Sequence, residues 1–309
     1  MQRDDNVKKR DRVGMFIVIA CGMMWGLGGV MGQILFRYSD MSPALLSSVR
    51  MTVAGTLLTM FCVLHRGKES LRILHSGWDT AYFIFYAMTG IMTMQFSYFA
   101  AVDASNAATA TVIQYIYPIL ILICTSIHKR KKPRFYEIVA VLSAFLGVFV
   151  VATHCNLMQL NMSRAAVFWG LVAAISYVVY TIAPGGLFKK YGLVETIGIG
   201  MLFGGMVLFA LTGSYRINVT VTPLVVLITI FITLFSSLIP MVLYGKGVAM
   251  LGSMKASLFV TVEPVFCTLV SVGFGLTNLV RMDFLGFLLI LIPIEFIACV
   301  GGKDDEKKR

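Results

Sequence analysis

Charge is scarce in this chain. Asp, Glu, Lys and Arg make up 13% of its 309 residues, about half the share of a soluble domain, and the mean hydropathy is +0.84. That deficit excludes a water-soluble globular fold. Histidine is scarcer still. His65, His75, His128 and His154 all sit in loops or at the ends of apolar runs, with no two at metal-ligand spacing. Of the six cysteines, Cys21, Cys62, Cys124, Cys267 and Cys299 lie within or at the ends of apolar runs, and only Cys155 falls in a clear loop. They form no close pair, so neither a zinc site nor a disulfide framework is expected, and they read as small membrane-core residues. No Gly-rich phosphate-cradling loop is present, which excludes ATP drive within this chain. Paired intramembrane aspartates, a metal-binding His pair and a Gly-x-Ser-x-Gly elbow are also missing, which argues against an enzyme. No cofactor and no metal are expected.

What is present is apolar: 58% of the residues. A membrane span needs about 20 mostly apolar residues, and ten such runs can be placed. They are 13–35, 43–64, 79–101, 107–127, 135–153, 165–188, 194–213, 223–245, 255–276 and 283–301. Turn chemistry separates many of them, as at Ser39-Asp40-Met41-Ser42-Pro43, Asp103-Ala104-Ser105-Asn106 and Lys132-Pro133. The first run is too long for a signal-peptide core and reads as a permanent span. The net charge of +11 does not mark a nucleic-acid binder, because no basic patch is interleaved with aromatics. Of the 26 Lys and Arg residues, 21 fall in the two tails and alternate loops, four (Arg37, Arg164, Arg216 and Arg281) fall in the intervening loops, and Arg50 lies within a run. By the positive-inside rule both termini are cytoplasmic. The economy of the loops suits a bacterial inner (plasma) membrane, and the external sequon at Asn218 reads as chance.

The chain runs one plan twice. Met94–Pro118 lies over Pro240–Pro264 at a constant offset of 146, pairing Tyr98 with Tyr244, Val102 with Val248, Ala110 with Ala256 and Pro118 with Pro264. Nearer the N-terminus the offset is 152, pairing Phe16 with Phe168, Trp25 with Tyr177 and Leu35 with Leu187. The difference is absorbed by the loop between the second and third spans of each copy. Each copy holds five spans, so the second enters the membrane from the opposite side. Inverted repeats of this kind build many secondary transporters, with the solute site near the midplane where the copies meet. The expected architecture is all-α integral membrane, with ten helices in two inverted five-helix repeats. The divisions are a tail at 1–12, a first repeat at 13–153, a linker at 154–164, a second repeat at 165–301 and a tail at 302–309.

The order of certain residues within this plan resembles the drug/metabolite transporter superfamily, and within it the EamA-type ten-span carriers. In the first copy the marks are Gly14 followed by Trp25-Gly26, Ser42-Pro43 with Arg50, and Tyr117-Pro118. In the second they are Gly170 followed by Tyr177 and Tyr180, then Glu263-Pro264-Val265. The resemblance covers nearly the whole chain. It implies a basket of helices around a central cavity, spans five and ten at the periphery, and export of amino acids, other metabolites or drugs. The chain departs from the family where a Gly-Glu pair often follows spans four and nine. Here those places read His128-Lys129-Arg130-Lys131 and Leu276-Thr277-Asn278.

Intramembrane ionisable residues are costly and so are functional candidates. Arg50 lies about 10 Å into span two at 1.5 Å per residue, on one face with Ser47 and Ala54. It reads either as a cavity guanidinium pairing with a solute carboxylate or as a structural Arg bonded to carbonyls or to Glu263. Glu263 precedes Pro264 near the middle of span nine. It reads as a group that binds a cation or carries a coupling proton, or as a neutral interhelical hydrogen-bonding group. Tyr117 is its copy-one equivalent. Glu295 reads as a helix-interface residue. Further cavity candidates are Trp25, Gln95 with Tyr98, Thr111 with Gln114, Tyr177 with Tyr180, Ser237 with Tyr244, and Ser257 with Thr261. Tyr82, Tyr86, Tyr136, Trp78 and Trp169 read as interfacial belt residues. Pro118, Pro184, Pro240 and Pro264 read as kinks and gating points.

The reading that results is a secondary exporter of a small amino acid or related carboxylate, working by alternating access. The chain's partners would be a small-molecule solute and the bilayer, with proton coupling through Glu263 as an option and a monomer or homodimer as the assembly. A nucleotide-sugar or organophosphate exchanger of the same superfamily, and a membrane protein that transports nothing, stay open as alternatives.

Overall fold

The computed structural model describes residues 2–128, 130, 132–155, 163–216, 219–275 and 278–307, and every regular element among them is helical. The sequon at Asn218, Lys129, Lys131, Thr277 and the side chains of Glu295 and Cys299 lie outside the described residues. Eight helical stretches are long and apolar enough to cross a membrane: Lys9–Tyr38, Pro43–His75, Ala107–His128, Phe135–Thr153, Arg164–Ile182, Leu193–Leu211, Pro223–Leu251 and Ser253–Gly273. The other two expected spans are helical as well. Residues 78–103 form one rod that carries Asp79, Gln95, Ser97 and Asp103, and the last helix covers Arg281–Lys307.

Helix starts follow local chemistry. In α2 (Pro43–Arg66) the Ser42 side chain accepts from the Leu45 amide, and Pro43, which has no N–H to satisfy, takes the first turn. Thr222 and Pro223 repeat that pair before α11 (Pro223–Phe231). Asn106 caps α5 (Ala107–Gln114) and Ser163 caps α8 (Arg164–Ile182).

Four expected boundaries are corrected. First, α1 (Gln2–Tyr38) runs unbroken through the supposed tail, because residues 2–13 contain neither Gly nor Pro to stop it. Second, span six ends at Ile182, not 188. Pro184 opens a separate short α9 (Gly185–Tyr191), and Gly192 (φ +96°) divides that helix from α10 (Leu193–Leu211). Third, the loop expected after span eight shrinks to one residue. Gly252 (φ +83°) alone separates α12 (Ile239–Leu251) from α13 (Ser253–Phe259), a conformation open to glycine at little cost. Lys246 and Lys255 therefore lie on helices. Fourth, α15 (Arg281–Lys307) continues through the supposed C-terminal tail.

Two rods are irregular at mid-length. Between α3 (Trp78–Tyr86) and α4 (Thr93–Asp103), residues Ala87–Met92 are π-helical, and between α11 and α12 so are Ile232–Leu238. Two further rods are broken. Tyr115 and Ile116 interrupt the step from α5 to α6 (Tyr117–His128), and the tight turn Val260–Val262 interrupts the step from α13 to α14 (Glu263–Gly273). The packing has a pattern too. α1 lies against α12 and α14, and α8 lies against α4 and α5. α2 pairs with α10, and α7 (Phe135–Thr153) pairs with α15.

Glycine permits the closest of these approaches. A Cβ at Gly55 would stand 2.2 Å from the Leu202 backbone nitrogen, and one at Gly147 would stand 2.7 Å from the Gly286 carbonyl oxygen. Gly55→Ala is therefore expected to force α2 and α10 apart, costing about 3 kcal/mol. Gly273→Ala, where nothing lies within 4 Å of the added carbon, should be neutral. Thermal melts of the two purified variants compare them directly, and equal melting temperatures would refute the crossing.

Candidate functional site

The irregular segments converge on one small cavity. Its wall is built by Trp25 and Gly29 of α1, Arg50 of α2, Gln95 and Tyr98 of α4, Gln114 of α5, Tyr177 of α8, Ser236 of the second π segment and Glu263 of α14. Met94 and Phe99 complete it. π-helical turns shift the side-chain register and recur at functional sites, and here the second one brings Ser236 to the wall and Ser237 to Arg50 behind it.

Arg50 is 1% exposed, on the same buried face as Ser47 and Ala54. Its guanidinium lies 4.4 Å from the Phe99 ring centroid. Nη2 donates to the Gln95 carbonyl at 2.8 Å and to Gln95 Oε1 at 2.9 Å, and Nη1 donates to Ser237 Oγ at 3.2 Å. The Gln95 carbonyl also accepts from Ser47 Oγ. Because a guanidinium can only donate, the amide oxygen of Gln95 must face Arg50 and its NH₂ must point elsewhere. Arg50 Nε and Gln95 Nε2 are buried donors with no hydrogen-bond partner among the described residues. No carboxylate among them stands within ion-pair distance of Arg50 either. The structural alternative, bonding to a carbonyl, thus accounts for part of the guanidinium and leaves the rest unsatisfied. Buried donors without acceptors are costly, so this side of the cavity carries unmet donor capacity.

Glu263 stands opposite in chemical character. It opens α14, so its carboxylate sits at a helix N-terminus, the end that favours negative charge. Tyr115 donates its hydroxyl to Glu263 Oε2 at 2.9 Å. Glu263 is 7% exposed, and no basic side chain among the described residues pairs with it. One cavity therefore holds a guanidinium and a carboxyl group that form no ion pair with each other.

The remaining candidates fall into two groups. Trp25, Gln95, Tyr98, Gln114 and Tyr177 line the cavity with Arg50 and Glu263. Behind them lies an aromatic stack. Tyr117 lies on Tyr177 at 3.9 Å between centroids, Tyr180 on Tyr244 at 5.9 Å, and Trp25 stands 5.3 Å from Tyr244. The stack is anchored by hydrogen bonds from Tyr180 to the Met241 carbonyl (2.8 Å) and between Tyr244 and Thr181 (3.3 Å). Ser237 acts through Arg50. Ser257 and Thr261 are buried but bond their own helix, at the carbonyls of Met254 and Leu258, and do not line the cavity.

Thr111 sits 3.4 Å from the Tyr98 hydroxyl and faces a second, more polar chamber with Gln33, Asn106, His154, Cys267 and Thr268. The Tyr98–Thr111 contact is the partition between the two chambers. A Cβ at Gly29 would stand 2.7 Å from that hydroxyl, so only glycine leaves Tyr98 its place. Pro118, Pro240 and Pro264 each lie one residue into the helix that follows an irregular turn, and Pro184 lies between α8 and α9. Such positions tolerate a residue without an N–H.

Three residues escaped the sequence reading or are corrected. Tyr86 is not a belt residue: it is fully buried, parallel to Tyr180 at 6.4 Å, because the π segment turns this part of the rod inward. Glu195 is 5% exposed and pairs with Arg66 at 2.8 Å, joining α2 to α10. Tyr115, which holds Glu263, stands directly before the break in its rod. The only signal was its place two residues before Tyr117.

Comparison with known proteins agrees with this architecture. A solved crystal structure superposes with a TM-score of 0.75 over 93% of this chain and 96% of that one, at 16% identity. The chain is 31% identical over 287 residues to the uncharacterized inner membrane transporter YicL of Salmonella typhimurium, covering 93% of this chain and 95% of that protein. It is 22% identical over 306 residues to the uncharacterized transporter YrdR of Bacillus subtilis, covering 96% and 94% respectively. The model of the EamA-like transporter family matches twice, at residues 12–153 and 164–299. A helical membrane protein that this family's model covers almost end to end, with Arg50 and Glu263 on the wall of one cavity, belongs to the EamA-like transporter family.

Proposed function

We propose that this chain is a secondary carrier of a bacterial inner membrane that exports a small carboxylate-bearing or zwitterionic metabolite, such as an amino acid. The observation that carries the reading is the cavity itself. Arg50 and Gln95 offer unsatisfied donors to a carboxylate on one side, and Glu263 with the faces of Trp25 and Tyr177 suits an ammonium group on the other. A single buried arginine is too little positive charge for a nucleoside diphosphate, so the organophosphate reading gains no support.

Alternating access would come from two inverted five-span repeats, completed by 78–103 and α15 as spans three and ten. Four observations support that reading. The family model matches each half separately. The π segments at 87–92 and 232–238 and the breaks at 115–116 and 260–262 recur at the sequence offset of 146. Asn106 and Gly252 start equivalent helices at that same offset by different chemistry. The packing also exchanges under a two-fold: α1 on α12, α13 and α14 maps to α8 on α4, α5 and α6, while α2–α10 and α7–α15 pair equivalents with each other. The prolines after the breaks, Pro118 and Pro264, would be the paired gating points, with Tyr98 and Thr111 closing the outer path. With 21 of 26 basic residues on one side, both termini would be cytoplasmic.

The test is solute counterflow in proteoliposomes holding the wild-type protein, with a panel of amino acids and organic acids. Saturable exchange of one carboxylate-bearing solute is expected. Exchange confined to solutes lacking a carboxylate would overturn the reading.

A further inference from the structure

The two broken rods meet. Tyr115 is the residue at which α5 stops, and Val260–Val262 with Glu263 form the turn from α13 into α14. The Tyr115 hydroxyl reaches across and faces two acceptors: Glu263 Oε2 at 2.9 Å and the Val260 carbonyl at 3.3 Å. Tyr115 is 1% exposed, so water does not compete. One O–H proton thus has two seats, and the choice between them depends on the charge of Glu263. An ionised carboxylate draws the hydroxyl strongly, because charge-assisted hydrogen bonds are roughly twice as strong as neutral ones. A protonated carboxyl has less to offer, and the carbonyl becomes the better acceptor.

Span one holds the turn in place without adding charge. A Cβ at Gly22 would stand 2.8 Å from the Val260 carbonyl oxygen, and one at Gly26 2.9 Å from the Glu263 carbonyl oxygen. Around Glu263 the other titratable and charged groups are Arg50 of α2, Tyr98 of α4 and Tyr177 of α8 at the cavity wall, Tyr117 of α6 beside Tyr115, and Cys267 one turn along α14. Among the described residues Tyr115 is the side chain that makes a hydrogen bond to the Glu263 carboxyl group.

We propose that Tyr115 is a positioning residue whose hydroxyl couples the charge of Glu263 to the relative placement of the two broken rods. The proposal rests on the reading of Glu263 as the coupling group. On it, proton gain at Glu263 passes the hydroxyl to the Val260 carbonyl, earlier in the same α13–α14 turn, and so shifts where the α5–α6 turn is held. Proton loss returns the hydroxyl to the carboxylate. The covalent bonds stay as they are: a proton moves on and off the carboxylate, and a hydrogen bond changes acceptor.

The test needs no known solute. The protein is reconstituted in lipid nanodiscs and its carboxyl infrared band is followed against pH, the Glu263 component being the one that Glu263→Gln removes. In Tyr115→Phe the carboxylate has lost its donor, so the midpoint of that component is expected to rise by about one pH unit. In Tyr86→Phe, whose ring lies beside Tyr180 and off the cavity wall, it should stay where it is. A Tyr115→Phe midpoint equal to that of the wild type would overturn the proposal while leaving Glu263 as a coupling group. Absence of any titrating component assigned to Glu263 would overturn the coupling reading itself. Each variant is first checked for a melting temperature near the wild type. Should Tyr115→Phe fail to fold, Tyr115→Leu, which also has no donor, replaces it under the same criterion of a raised midpoint.

Discussion

Arg50→Ala is expected to lower counterflow of a carboxylate-bearing solute by at least about a hundredfold, because a desolvated guanidinium–carboxylate pair is worth roughly 3 kcal/mol when one partner is removed. The wild-type side chain spends Nη1 and one N–H of Nη2 or more on Ser237 and Gln95 and holds Nε in reserve. The bonds to protein fix the guanidinium plane before the solute arrives, so little ordering entropy remains to be lost on binding. Arg50→Ala also removes a tie between α2, α4 and the π segment of α11–α12, so a loss of flux could reflect a loosened fold. Arg50→Lys separates the two effects. An ammonium keeps the charge and reaches one or two acceptors, but it has no planar fork and no Nε–H. The expected result is a raised KM for counterflow with a melting temperature close to that of the wild type. Unchanged KM in Arg50→Lys, together with unfolded Arg50→Ala, would make the residue purely structural.

The geometry around Arg50 was legible in the sequence for a simple reason. Ser47, Arg50 and Ala54 share a face by helical spacing alone, and an arginine two turns into an apolar run has to find polar company. Gln95 and Ser237 share its surroundings because each lies on the inward face of its own rod. The corrected boundaries had local causes that the hydropathy pattern masks. Gly252 and Gly192 end helices by adopting positive φ, which a sliding apolar window does not register, and residues 2–12 stay helical because nothing in them forbids it. Tyr115 was not legible. It matters through a hydroxyl bond to a residue 148 positions away, across a break in each rod that tertiary packing imposes. Glu195 was hidden likewise by its partner Arg66 on another rod. Long-range polar pairs are set by how the rods cross, and the spacing within one rod carries no trace of them.

Glu263→Gln should keep solute exchange and abolish accumulation driven by a pH gradient. Glutamine matches the shape of the carboxyl group, and its amide oxygen can still accept from Tyr115, so the junction between the broken rods survives. What it loses is a titratable proton. If one proton moves with each solute, a gradient of one pH unit sustains about tenfold accumulation, equivalent to about 1.4 kcal/mol. A carrier without the titrating group still equilibrates solute across the membrane, so its accumulation ratio falls to one. On the proposed mechanism the asymmetry between copies would give coupling its direction: the position equivalent to Glu263 is Tyr117, which holds no charge and stacks on Tyr177 instead. Two rocking repeats with a carboxylate in one of them would present that carboxylate to different neighbours in the two states, and only such a difference lets proton binding bias the equilibrium. Retained accumulation in Glu263→Gln would remove the carboxylate from coupling. Loss of both exchange and accumulation in a folded variant would instead make it a ligand to the solute's cationic end.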